Sequence, residues 1–145
     1  MHHTFAIVAL SLLLSGCSIQ RYAINSIGDM LASSGSVFES DDDPELIAEA
    51  LPFSLKLLDS LLAEQPDHRG MLLAAARGYL LYGYAFVGTA AEQSQLEDIA
   101  RTRELRSRAR NLYLRAHRYA SHALDLDFPG LAADLAADPE AAVSS

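Results

Sequence analysis

The sequence predicts an all-α protein of antiparallel helix pairs behind a cleaved lipoprotein signal peptide, and three observations carry that reading. Apolar residues recur at helical spacing through three long stretches. The breaks between those stretches hold helix-start and helix-stop residues, Asp43-Pro44-Glu45 and Gln65-Pro66-Asp67. The N-terminus carries a short apolar run that ends in Leu14-Ser15-Gly16-Cys17.

The N-terminal run, Phe5 to Leu14, is uncharged and too short for a lasting bilayer span, which needs about 20 apolar residues. Small residues ahead of Cys17 suit a signal peptidase, and the cysteine supplies the thiol for diacylglycerol attachment. The pattern predicts a signal peptide over 1–16 and lipidation of Cys17, so that membrane lipid is the first partner. The n-region departs from the usual pattern in carrying His2 and His3 in place of Lys or Arg. Ser18, being non-acidic, directs the expectation to an outer-membrane anchor facing the periplasm.

Residues 17–43 are expected to form the lipidated tether. Ile24, Ile27 and Leu31 fall at helical spacing within a weakly amphipathic stretch, Ile19 to Ala32, which the turn-forming and acidic run from Ser33 to Asp43 ends. Asp41 to Asp43 lack the spaced oxygen ligands and glycine of a calcium loop, and read instead as negative charge at a helix N-terminus. Residues 44–128 are expected to form the helical domain. Its first helix places Ile47, Ala50, Leu51, Leu58, Leu61 and Leu62 on one side, with Lys56, Asp59, Ser60 and Glu64 mostly opposite. Pro52 predicts either a kink near Ala48 to Pro52 or a helix that begins there.

The next helix, about Arg69 to Ala91, carries one charge from Met71 onward, Arg77, and is rich in Ala, Gly and Tyr. It reads as the central buried helix, since the apolar part after Arg77 is shorter than a usual span. Tyr79, Tyr82 and Phe86 fall at i, i+3 and i+7 and predict one aromatic stripe, with Tyr84 on another face. Two readings stay open: core packing, or a groove whose tyrosine hydroxyls orient a small apolar ligand. Glu92 to about Arg103 reads as a charged connection. The last long helix runs to Leu126, with Leu105, Ala109, Leu112, Ala116, Tyr119, Ala120 and Ala123 on one face. Seven of the eleven basic residues lie between Arg101 and Arg118; Arg103, Arg108, Arg110, Arg115 and Arg118 are expected on a solvated face away from the apolar one. Residues 129–145 are Ala- and Asp-rich, and their end is expected to be disordered.

Composition removes several function classes. With 19 acidic against 11 basic residues, the formal charge is −8, opposite to what phosphate-backbone binding needs, so no nucleic-acid partner is expected. Cys17 is the single cysteine, so the chain forms no internal disulfide and has no thiolate cluster. His117 and His122 lie about 140° apart on a helix and make no metal pair. No glycine-rich phosphate loop, nucleophile elbow or apolar acid pair is present, so neither catalytic residues nor a cofactor nor a metal is expected, and the chain reads as a non-enzyme.

Ser54-x3-Leu58-x2-Leu61-Leu62-x3-Pro66 matches the second helix and closing proline of a tetratricopeptide repeat. Leu72, Ala75, Ala76 and Tyr79 match first-helix positions of the next unit. Ala116-x3-Ala120-x2-Ala123-Leu124 repeats the second-helix pattern after an insertion of about 28 residues over the usual period. On the stretches Leu51 to Val87, with GYLLYGYAFV its most specific part, and Leu112 to Leu131, the chain resembles the T-component of TRAP-type transporters. That resemblance implies a lipoprotein with tetratricopeptide-like helix pairs, set beside a periplasmic solute-binding protein, that presents or passes a small apolar ligand and brings no catalytic residues. Family members continue through further helix pairs, which implies a short or truncated member that associates with a partner or with itself as a homo-oligomer. The competing class is a structural or interaction lipoprotein of the cell envelope without a transport role.

Overall fold

Helix starts and stops are set by single side chains. In the computed structural model, which describes residues 19, 21–33 and 40–144, Asp43 accepts hydrogen bonds at one carboxylate oxygen from the backbone N–H of Glu45 (3.1 Å) and Leu46 (3.0 Å). Pro44, which has no N–H to satisfy, takes the first helical position. The signal peptide, Cys17 and Ser18 lie outside the described residues.

Residues 21–33 form the first helix, α1. The second, α2 (Pro44–Glu64), runs without a break through Pro52, so the expected start at Pro52 does not occur. One missing hydrogen bond is outweighed there by burial of Ile47, Leu51, Leu55, Leu58 and Leu62 on a single face. Each such side chain contributes about 1.5–3 kcal/mol when fully buried. Four residues separate α2 from α3 (Arg69–Leu81), and so short a connection sets the two side by side and antiparallel. His68 caps α3: its Nδ1 accepts from the Met71 N–H at 3.2 Å.

Beyond Leu81 the helical path continues but its geometry changes. Tyr82–Gly88 is a π-helix, followed by α4 (Thr89–Gln93) and a 3₁₀ turn over Ser94–Leu96. The expected uniform helix to Ala91 is therefore interrupted by a π segment between two α segments. A reason is visible in which side chains are buried: Met71, Ala75, Tyr79, Gly83, Val87 and Ala91, every fourth residue. In a pure α-helix a row spaced by four drifts about 40° per step around the axis. A π turn closes over more residues, so each advances less and part of that drift is returned. Gly83, Val87 and Ala91 are thereby kept on the inside.

The long helix α5 (Ile99–Asp127) starts at Asp98, whose carboxylate accepts from the Arg101 N–H at 2.8 Å. It runs antiparallel to the α3 path. Arg69 at the start of α3 meets Asp127 at the end of α5 (2.7 Å), whereas Tyr82 at the far end meets Arg108 (3.2 Å). Two clusters form the core. One joins α2, α3 and α5 through Leu51, Leu55, Leu58, Leu62, Met71, Leu72, Ala75, Tyr79, Ala116 and Ala123. The other sits under the π-helix, where Val87 and Ala91 meet Leu105 and Ala109. The helix α1 closes the first cluster from outside: Gly28 lies so near Met71 that an added Cβ would stand 2.7 Å from its sulfur.

After Phe128-Pro129, Gly130 turns the chain at φ +89°, a conformation glycine adopts without strain. Two short helices follow, α6 (Leu131–Ala137) and α7 (Pro139–Ser144), in the segment whose weak pattern predicted a tail. No strand occurs among the described residues, and the fold is all-α.

The run Arg69–Leu96 is long and apolar enough, by length and composition, to cross a membrane. Its buried row is covered by α1, α2 and α5, which accounts for its apolar character as a core helix.

Candidate functional site

At the centre of the fold, three helices meet through polar groups that binary patterning placed outside. Asp59 of α2 faces inward, with its side chain 16% exposed. Its carboxylate accepts the hydroxyl protons of Tyr79 (2.8 Å, from α3) and Tyr119 (2.7 Å, from α5), and a bond from Lys56 (2.7 Å). Arg115 of α5 donates to the Tyr79 hydroxyl (3.0 Å) and approaches Asp59 (3.4 Å), while its guanidinium lies over the Tyr79 ring, 5.0 Å from the centroid. The Tyr79 and Tyr119 rings stack at 6.0 Å. A chain of donors thus runs from Arg115 to Tyr79 to Asp59, and Tyr119 closes it from the other side.

The protonation states follow from these contacts. Burial pushes the Asp59 carboxyl up, but hydrogen bonds from Lys56, Tyr119 and Tyr79 outweigh it and hold the group below the usual carboxylate range. Burial and the bond to the Asp59 carboxylate both raise Tyr79, and they raise Tyr119 well above the ordinary tyrosine range. Asp59 is therefore ionised and both phenols neutral across the neutral pH range. Each group is engaged by another, so the cluster clamps α2, α3 and α5 together.

The three aromatic residues read as one stripe all join the first core cluster, Tyr79 within it and Tyr82 and Phe86 packed against it. Tyr79 is buried, 3% exposed, and belongs to the clamp. Tyr82 and Phe86 are half-buried and lean on one another, with ring centroids 5.8 Å apart. Arg108 donates to the Tyr82 hydroxyl at 3.2 Å and sits over its ring at 5.6 Å. Of the arginines expected on the solvated face, Arg108 is exposed while lying over the Tyr82 ring, and Arg115 is half-buried and reaches back over the Tyr79 ring. Arg101 does pair on the surface as expected, with Glu104 at 2.8 Å.

Asp59 and Arg115 were the residues that the helical wheel missed. The signal that finds them is a pair at one-turn spacing, Arg115 and Tyr119, facing an acid, Asp59, set between Leu55 and Leu62 of the buried face, across a helix with a tyrosine at the same level. No group of three or more His, Cys, Asp or Glu side chains able to hold a metal ion occurs among the described residues.

Among the described residues the fold is all-helical, with antiparallel helices that enclose a satisfied polar clamp and a middle helix that continues into an aromatic π segment. The chain belongs to the TRAP transporter T-component family, whose model matches residues 40–145, from the Asp43 cap through the final helix. That family is one of transport accessories and is not a known enzyme family. It is also similar to an uncharacterized protein of Treponema pallidum (strain Nichols), 38% identical over 136 residues that make up 84% of this chain. The chain spans 42% of that relative's length.

Proposed function

We propose that this protein is a lipid-anchored T-component that faces the periplasm, tethered through Cys17 to the outer membrane, and works beside a solute-binding protein of its transporter. The observation that carries the reading is the family match over residues 40–145. Two sequence features support the finer statement. The lipobox at Leu14 to Cys17 supplies the anchor, and tetratricopeptide-like spacing in α2, α3 and α5 suits a scaffold that offers helix faces to another protein. Large apolar side chains left at the surface of these helices, among them Phe53, Leu80 and Tyr84, suit contact with a partner, a second copy of the chain or a small apolar ligand.

Uptake of the transporter's solute in cells that lack the chain tests this directly. Uptake should fall, wild-type protein should restore it, and Cys17→Ser should not. Undiminished uptake in the deletion strain would leave a structural envelope lipoprotein as the better reading.

A further inference from the structure

Outside the clamp and the Tyr82–Phe86 pair, α3 presents a second face with its own chemistry. Arg77, Leu80, Leu81 and Tyr84 fall at i, i+3, i+4 and i+7 and line a cleft of about 530 Å³. Tyr113 of α5 forms the opposite wall. The volume lies within the range of small-molecule sites. Leu80 and Tyr84 are 54% and 72% exposed, so this apolar surface is open to solvent without a covering element among the described residues.

Local backbone builds the cleft. The Tyr113 ring reaches the α3 path because Gly83 has no side chain: an added Cβ would stand 2.9 Å from the ring. Gly83 of the π-helix thus seats the far wall, and Tyr84, one residue on, joins the lining of the cleft.

Charge defines the occupant. Arg77 is the single charged residue between Met71 and Ala91, and among the described residues it makes no hydrogen bond or ion pair, in a chain with 19 acidic side chains. An unpaired guanidinium beside apolar walls matches a singly charged carboxylate on an apolar body, with the carboxylate on the planar fork and the body against Leu80, Leu81 and the two rings. A multiply charged anion would meet one cation here and a net −8 protein around it. We infer that the Arg77–Tyr84–Tyr113 cleft is a binding site for an amphipathic monocarboxylate. This deepens the small-ligand part of the reading above, names its chemical class and moves it from the Tyr79–Tyr82–Phe86 stripe to the neighbouring face.

Isothermal titration calorimetry of the purified full-length chain with decanoate, below its self-association concentration, tests the site. One-to-one binding is expected, with decan-1-ol at least tenfold weaker. Arg77→Gln should bring decanoate down to the alcohol's affinity. Leu80→Glu should abolish binding of both, and Tyr82→Phe should leave both unchanged. Arg77 and Leu80 are exposed, so both variants should keep the wild-type circular dichroism. Absence of decanoate binding, or binding indifferent to Arg77→Gln, overturns the proposal, as does loss of binding in Tyr82→Phe alone. Because no transporter partner is present, failure here leaves the transporter role standing, and failure of the uptake experiment leaves this site standing.

Discussion

Replacing Asp59 with Asn tests whether the three long helices are held by the inward-facing polar cluster. The substitution keeps shape and size but removes the charge that accepts from Tyr79 and Tyr119 at 2.8 and 2.7 Å. Lys56 and Arg115 are 68% and 38% exposed, so their ion pairs with Asp59 contribute little. The tyrosine bonds dominate, since a hydrogen bond to a charged group contributes about 1.5–3 kcal/mol. The Asn amide still offers one acceptor oxygen, and its NH₂ must be received by a hydroxyl that now donates elsewhere. About half the paired interaction is lost, or about 1.5–3 kcal/mol, equivalent for a chain of this size to a fall of roughly 5–15 °C in melting temperature.

The acid limb gives an independent reading. A carboxyl held below its ordinary 3.8 contributes stability that is present above that value and is lost as pH falls through the folded value. Wild-type melting temperature should therefore fall more steeply below about pH 4 than that of Asp59→Asn, whose site does not titrate. Differential scanning calorimetry across pH 2.5–7 measures both. A change under about 1 °C at pH 7, or parallel acid limbs, would refute the claim that the cluster is a clamp.

The remaining predictions use other parts of the fold. Tyr79 and Tyr119 are raised above the ordinary 10.0, so they favour the folded state fully below pH 10, and that contribution disappears as pH rises through their folded values. Ultraviolet titration of the six tyrosines should show two that ionise late, and Asp59→Asn should bring both earlier. Gly83→Ala gains about 1 kcal/mol of helix propensity but drives a Cβ to 2.9 Å from the Tyr113 ring and 3.3 Å from the Leu112 Cβ. Overpacking of that kind costs about 1–3 kcal/mol, so thermal unfolding should show a net loss, and a gain would deny the close approach. Tyr82→Phe removes a half-buried hydroxyl bonded to exposed Arg108 and should lower the melting temperature by only a few degrees, as thermal unfolding will show. Cys17→Ser should abolish acyl labelling and leave unprocessed precursor on a gel.

Helix boundaries were legible wherever one side chain decides them. Asp43 with Pro44, and Gln65-Pro66 before His68, act through capping and a missing N–H, which depend on neighbours in sequence and not on the fold. Leu51, Leu58 and Leu62 were legible as core because the apolar face of α2 is continuous. Three features were not. A wheel drawn at one constant angle cannot anticipate the π-helix; the four-residue row Met71, Ala75, Tyr79, Gly83, Val87, Ala91 is the pattern that encodes the change. Asp59 and Arg115 were sorted by polarity to the outside, yet each finds its partners on a different helix, and such partnership is written across 56 residues of sequence. Pro52 suggested a kink or a helix start, and burial of Leu51 and Leu55 carries α2 through it without the start.

The cleft around Arg77 shows the same limit from the opposite side. Arg77 stands out in sequence as a lone charge in an apolar helix, and Tyr84 as the aromatic residue off the stripe. Their relation is set by Tyr113, 29 positions beyond Tyr84, and by Gly83, which admits its ring.

The central claim, that this T-component works beside a solute-binding protein of its transporter, is tested most directly by cross-linking in intact cells. Affinity purification of the tagged full-length chain after cross-linking, followed by mass spectrometry, should recover the solute-binding protein of a TRAP transporter as a major adduct, reduced when Cys17→Ser removes the anchor. Adducts drawn only from other envelope proteins, with that solute-binding protein demonstrably expressed in the same cells, would contradict the account.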